Sequence, residues 1–334
     1  MRLENIIALT SGNLVNDPFV KKFENIVFEA KVVKRGDLFI AFDETMIEDA
    51  ILNGAYGIIF DKPTQITDTE IAWIKVQNCE DSLKKLLRFR LIEKDVRVYE
   101  CNEIVLKLSL QVITDPNFIP VHGAIKDIHK QLWNLEENST LLFCPELCDS
   151  NIFTDIKKHQ VIKDMGKITI MEETLFETSF IYDNIFYERQ LISPFFIPYL
   201  EELLHLYTIL DINFRLKKFS QIEHFEAVFV SKTFEVKEFG TSDKVLIFEK
   251  NTRLVEHEIS FLQNNASWAN LIYILPVAYK EKYDNYRNIY TYKNEKEIFE
   301  TLQENKFPFA LIIGKDKSIL HRPIKNQAQL IMEF

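Results

Sequence analysis

The sequence predicts an α/β protein built from three domains, and three observations carry that reading. Strand and helix signals alternate along most of the chain, the pattern of a mostly parallel sheet with helices on its faces. The chain has 334 residues, 47% of them hydrophobic, enough to bury several cores. The alternation is clear before about residue 95 and after about 220, and harder to resolve between, so the expected domains are 1–95, 96–220 and 221–334. No repeat, low-complexity segment or Pro/Gly/Ser-rich linker interrupts the pattern, so close packing of the domains is expected.

The first domain reads as a compact unit. Residues 3–11 fit a helix stopped at Gly12. A strand at 24–29 leads to a turn at Lys34-Arg35-Gly36-Asp37, and Leu38–Phe42 is a buried-strand run. A helix at 45–53 ends near Gly54, strands follow at 57–60 and 71–76, and a helix at 80–91 places Leu83, Leu86 and Leu87 on one face. In the middle, helices fit 102–113, which Asp115-Pro116 breaks, and 125–135. Leu141–Phe143 reads as a strand, 159–192 as several short strands, and 196–211 as a strongly apolar helix. The last domain carries strands at 225–231, 244–248, 271–275, 288–292 and 309–313, with helices at 253–264 and 294–304.

Composition narrows the function classes. The net charge of −10 argues against nucleic acid or an anionic membrane surface as a partner. The start, Met-Arg-Leu-Glu-Asn-Ile-Ile, has no apolar core for a signal peptide, and no run approaches the length of a membrane helix. A cytoplasmic location without membrane insertion is expected. Four cysteines are too few for a disulfide scaffold of this size. Phenylalanine is abundant, at 27, and glycine scarce, at 8. The scarcity matters because phosphate-cradling loops need glycine for positive φ and for close approach to the anion.

Several segments resemble the Mur ligases, which add amino acids to UDP-N-acetylmuramic acid during bacterial peptidoglycan synthesis. Residues 6–15, Ile-Ile-Ala-Leu-Thr-Ser-Gly-Asn-Leu-Val, resemble the family's opening helix. Residues 33–41, Val-Lys-Arg-Gly-Asp-Leu-Phe-Ile-Ala, are similar to its V-K-P-G-D-L-F-V-A turn. Residues 50–59 resemble its A-x-x-x-G-A-x-A-V-V step. The resemblance is clearest over 1–90. Beyond 95 it is a likeness of layout, nearest to the ligases that add the final D-alanyl-D-alanine. It implies a small N-terminal UDP-binding-like domain, a reduced central α/β domain and a C-terminal Rossmann-like domain.

The family's chemistry is missing at the residues that would carry it. Mur ligases hold ATP phosphates on a central G-x-x-G-K-[ST] loop. The nearest segment by position, Val121-His122-Gly123-Ala124-Ile125-Lys126-Asp127, has one glycine, no hydroxyl after the lysine, and an aspartate where phosphate would be repelled. The D-S-R that faces the nucleotide sugar is replaced by Glu29, Ala30 and Lys31, and the D-G-H-x-F-I loop is absent. The Y-N-A-N-P motif is reduced to Lys250-Asn251-Thr252-Arg253-Leu254, where Asn251 alone survives.

No residue reads as catalytic, and no cofactor or metal is expected. Lys31, Lys34, Arg35 and Asn251 are the candidate substrate-binding residues. Cys144 and Cys148 with His159 lack a fourth zinc ligand, so packed thiols are the simpler reading. His122 and His129 are seven apart rather than four, which suits ordinary histidines. The adjacent pairs Glu172/Glu173 and Glu201/Glu202 point apart and read as solvated faces. The run Leu191–Leu200 reads as core, or as an interaction surface if exposed. The leading expectation is a non-catalytic, Mur ligase-like protein that acts by binding a peptidoglycan-synthesis protein or a UDP-muramyl precursor. An active ligase with an atypical ATP site and a nucleotide-sugar sensor are the alternatives.

Overall fold

The computed structural model describes residues 1–158, 166–238, 241–283 and 285–321. The chain forms two compact units, one of Met1–Gln160 with Asp211–Phe214, the other of Val161–Leu210 with Arg215–Phe334.

The first unit holds two sheets. Strands β1 (Asn13–Leu14), β2 (Ile26–Val27), β3 (Leu38–Ile40), β4 (Gly57–Phe60) and β5 (Ala72–Lys75) form a sheet of order β1-β5-β4-β3-β2, parallel except for β1. Helices α1 (Leu3–Thr10), α2 (Ile47–Leu52) and α3 (Cys79–Glu93) accompany it. The second sheet joins β6 (Arg97–Glu100), β7 (Phe118–Pro120), β8 (Thr140–Phe143) and β9 (Ile156–Lys158) in the parallel order β7-β8-β6-β9. Its helices are α4 (Glu103–Val112) and α5 (Ile125–Leu132).

Local chemistry explains these elements. Asn78 caps α3 by accepting the Asp81 N–H at 2.9 Å, and Asn102 caps α4 through the Val105 N–H at 2.9 Å. At the end of α2, Gly54 adopts φ +101° and lies against the Arg35 backbone, where a Cβ would sit 3.2 Å from the Arg35 Cα. Leu83, Leu86 and Leu87 of α3 are fully buried in one core with Leu3, Ile40 and Ile74 on one side and Leu132, Leu141 and Phe143 on the other. The boundary expected at 95/96 therefore falls inside a continuous core. The central segment expected at 96–220 is divided between the units. Asp211–Phe214 returns to the first unit, where the Asn213 carbonyl accepts the Thr114 and Asp115 N–H groups at 3.2 and 3.0 Å.

The second unit carries an antiparallel sheet, β10 (Ile168–Glu173), β11 (Thr178–Tyr182) and β12 (Ile185–Gln190), followed by α6 (Ile197–Leu210). The short strands expected at 159–192 are these three; residues 159–165 lie outside the described set. The larger sheet runs β13-β14-β17-β15-β16, from β13 (Glu226–Val230), β14 (Lys244–Glu249), β15 (Leu271–Pro276), β16 (Ile289–Tyr292) and β17 (Phe309–Ile313). It is parallel except for β13. Helices α7 (Val255–Asn265), α8 (Lys280–Tyr283) and α9 (Glu295–Glu304) complete it. This is the Rossmann-like layout expected of the C-terminal region.

The apolar run at 191–200 is mostly core: Ile192, Phe195, Phe196, Ile197 and Leu200 are buried, and Ser193 caps the turn through the Phe195 N–H. Glu201 and Glu202 are half-buried rather than solvated. Glu201 accepts the Ile168 N–H at 2.9 Å, and burial raises the Glu202 pKa. Glu172 and Glu173 are exposed, as expected. Among the described residues no helix is long and apolar enough to cross a membrane.

Candidate functional site

The segment nearest by position to the family's phosphate loop lies between a strand and a helix. Strand β7 ends at Pro120, a turn spans Val121–Ala124, and α5 begins at Ile125. Gly123 sits at φ +95°, a conformation that glycine adopts without strain. In an open parallel sheet such a turn, at the carboxyl end of a strand, is where anions meet helix amides.

The chain closes this turn on itself. Asp127 bends back, and its Oδ2 accepts the Ala124 N–H at 3.3 Å. A Cβ on Gly123 would lie 3.0 Å from the Asp127 Cβ and 3.2 Å from Oδ2, so the carboxyl group lies directly over the turn. The Asp127 and Ile128 amides both donate to the Ala124 carbonyl, at 2.8 and 2.9 Å. His122 Nδ1 lies 3.1 Å from the Pro120 carbonyl, and the Gln131 amide donates to the His122 carbonyl at 2.8 Å. The one lysine of the turn is aimed elsewhere: Lys126 Nζ stands 3.9 Å from the centroid of the Phe42 ring. A negative group thus occupies the helix end, and the nearby cation faces an aromatic ring.

The neighbouring strand ends are acidic as well. Glu100 ends β6 and pairs with Lys158 at 3.6 Å, and Glu103 opens α4 and pairs with Lys107 at 3.0 Å. Cys144, just after β8, donates its thiol to Glu146 Oε2 at 3.0 Å. Burial, then the Glu146 hydrogen bond and the charges of Glu146 and Glu103, push the Cys144 pKa to about 12. Burial and Asp149 hold Cys148 at about 11. With no metal bound, both are protonated thiols at neutral pH. His159 lies outside the described residues, and no group of three potential ligands forms among those described.

Two further places bear on binding. The first is a cavity of about 460 Å³ in the first unit, lined by Asn25, Phe28, Lys34, Asp37, Lys130 and Trp133 among others. Asp37 is buried and structural there: it accepts the Lys34 N–H at 2.8 Å and the Asn25 side-chain amide at 3.2 Å, which fixes the Lys-Arg-Gly-Asp turn. Glu29 and Lys130 form an ion pair across the rim. His129, also lining the cavity, stacks on Trp133 at 4.8 Å. Burial, then the Lys130 charge, lower its pKa to about 4, so it is neutral near pH 7.

Of the sequence candidates, Lys34 lines this cavity. Lys31 is exposed in the turn Ala30–Val32, outside the lining, and Arg35 donates from Nε to the Tyr56 hydroxyl at 2.9 Å. Asn251 stands in the second unit and serves the turn before α7, where its Oδ1 accepts the Arg253 N–H at 3.1 Å. Of the three candidates in the first unit, Lys34 alone lines the cavity.

The second place is that β14–α7 turn, and sequence reasoning missed its chemistry. Glu249 ends β14, fully buried. It faces His224 Nδ1 at 3.0 Å and accepts the Phe225 and Asn251 N–H groups at 3.0 and 2.6 Å. Glu258, one turn into α7, is fully buried beside it. Burial first, then the Glu249 charge, raise the Glu258 pKa well above its ordinary value. Burial works to raise Glu249 too, but the His224 hydrogen bond and charge and the Asn251 amide bring it below its ordinary value. Two buried carboxyl groups and an imidazole are thus gathered in the core, and neither Glu258 oxygen has a hydrogen-bond partner among the described residues. The signal in the sequence is weak, because the three residues are spread over 224–258.

No family model and no curated protein matches the chain. Solved structures do. MurF from Acinetobacter baumannii superposes with a TM-score of 0.54 at 9% identity, over 96% of this chain and 99% of that one. The MurF ligase from Thermotoga maritima, solved in complex with ADP, gives 0.50 at 12% identity, over 89% and 95%. Identity this low speaks to architecture alone. The chain has the fold of these Mur ligases.

Proposed function

We propose that this chain is a non-catalytic, Mur ligase-like protein that acts by binding within cytoplasmic peptidoglycan synthesis. The observation that carries the reading is the Asp127 carboxylate on the Ala124 amide, at the turn that would cradle ATP phosphates. A triphosphate brought there meets a like charge, already hydrogen-bonded amides and a lysine turned toward Phe42. Titration of the protein with ATP and magnesium by calorimetry tests it. No heat up to millimolar ATP is expected, and micromolar binding would overturn the reading.

A second reading, a nucleotide-sugar sensor, is favoured by the cavity at Lys34, large enough for a small ligand and carrying aromatic and cationic side chains. Its ligand would be a UDP-muramyl precursor. A ligand that binds only the folded state raises stability by about 2.7 kcal/mol at one hundred times its Kd. Thermal unfolding with and without UDP-N-acetylmuramyl peptide measures this. An unchanged midpoint in saturating ligand rejects the sensor and leaves a protein partner as the object of binding.

A further inference from the structure

The second unit contains an aromatic cavity that neither reading uses. It measures about 420 Å³. Its walls come from elements far apart in sequence: Phe176 from the β10–β11 turn, Phe229 from β13, Phe261 and Trp268 from α7 and beyond, and Phe309 from β17. Two ring pairs stand nearly perpendicular. Phe176 meets Phe229 at 5.8 Å and 86°, and Trp268 meets Phe309 at 5.8 Å and 81°. Trp268 is 75% exposed, an unusual position for so large an apolar side chain.

The charge around the cavity has one sign. Glu173 lines it, and a second hollow of about 400 Å³ shares Glu173 and Thr174 with it and adds Glu172, Glu177 and Arg189. None of the three carboxylates makes an ion pair with a described residue. Arg189 opposes them as the one cation of the second hollow, and it is outnumbered.

We propose that this cavity docks an arginine-bearing extended segment of a partner protein. An arginine has an aliphatic stem for the phenylalanines and a planar cation that stacks on an indole and pairs with a carboxylate. Two hollows meeting at Glu173 suit two side chains on one face of an extended peptide, spaced by about 7 Å. A single free cation would fill only one.

The test is a fluorescence titration with a peptide of alternating arginine and serine, using Trp268 as reporter. Trp73 and Trp133 also emit, so the Trp268→Ala variant measures their contribution, which is subtracted. Saturable quenching is expected, and replacing each arginine with isosteric, uncharged citrulline is expected to abolish it. Binding followed by calorimetry is expected to weaken by about tenfold in Trp268→Ala and again in Glu173→Gln, from loss of one cation–π contact and one charge-assisted pair. Both side chains are exposed, so unchanged thermal midpoints are expected to show that the variants fold. Equal affinity for the citrulline peptide, equal affinity in both variants, or no binding at millimolar peptide would each overturn the proposal. Tighter binding of an acidic or purely apolar peptide would overturn it in favour of that occupant.

Discussion

Two strand-to-helix turns of this protein occupy equivalent places in parallel sheets and are closed in opposite ways. The β7–α5 turn is closed at the surface by one exposed aspartate on one amide. The β14–α7 turn is closed from within, by a carboxylate that holds an imidazole and two backbone amides in a dry core. The first closure is cheap and local. The second is part of what holds the unit together. The two closures therefore differ in depth, and substitutions should separate them.

The largest effect is expected at the deep closure. Glu249→Gln leaves His224 and two buried amides facing a neutral group, and breaking a buried, hydrogen-bonded pair costs about 3–5 kcal/mol. Urea unfolding measures it, and a loss below about 1 kcal/mol would show that the cluster contributes little.

His129, on the helix that follows the shallow closure, should dominate the acid limb of stability. Its folded pKa of about 4 lies below the ordinary 6.5, so the unfolded chain binds the extra proton first. Its contribution is present above pH 6.5 and is lost as pH falls toward 4, by about 3 kcal/mol in all. His129→Phe should flatten the unfolding midpoint over that interval.

Glu258 runs the other way. Its folded pKa is raised from 4.5, so the folded state holds its proton more tightly. Stability is full below pH 4.5 and declines as pH rises above it. Glu258→Gln removes the ionisation. It should flatten the urea midpoint between pH 5 and neutral pH, where the parent protein loses stability.

The smallest effect is expected at the shallow closure. Asp127→Ala removes a helix-terminal acceptor and should cost about 1 kcal/mol. It should also let inorganic phosphate raise the thermal midpoint slightly where the parent protein shows no response. A parent protein that responds equally would mean that Asp127 does not block the turn.

The sequence showed one of these closures and hid the other, for a physical reason. Glycine scarcity and an acid three positions into a helix are local features, so the departure from the family's G-x-x-G-K-[ST] pattern could be read directly. That Asp127 folds back on Ala124 is a matter of rotamer and turn geometry. The Glu249–Glu258–His224 contact depends on tertiary packing across 34 positions of chain. Strands followed the same rule. Gly57–Phe60 and Phe309–Ile313, apolar throughout, were legible. Strand β6, Arg-Val-Tyr-Glu, was not, because its charged ends mask a run held between two parallel neighbours. The expected domain border near 95 falls within one compact unit, because leucines of α3 share a core with both sheets, and a helix with two clients reads in sequence like a helix with one. Of the four proposed binding residues, Arg35 and Asn251 hold turns, tasks that composition does not distinguish from ligand contact.

The brief return of Asp211–Phe214 to the first unit ties the order of synthesis to the order of assembly. A nascent chain cannot supply the carbonyl that Thr114 and Asp115 require until Asn213 has been made, roughly one hundred residues later. Gene truncations that stop short of Asn213 would release a protein with an unfinished seam.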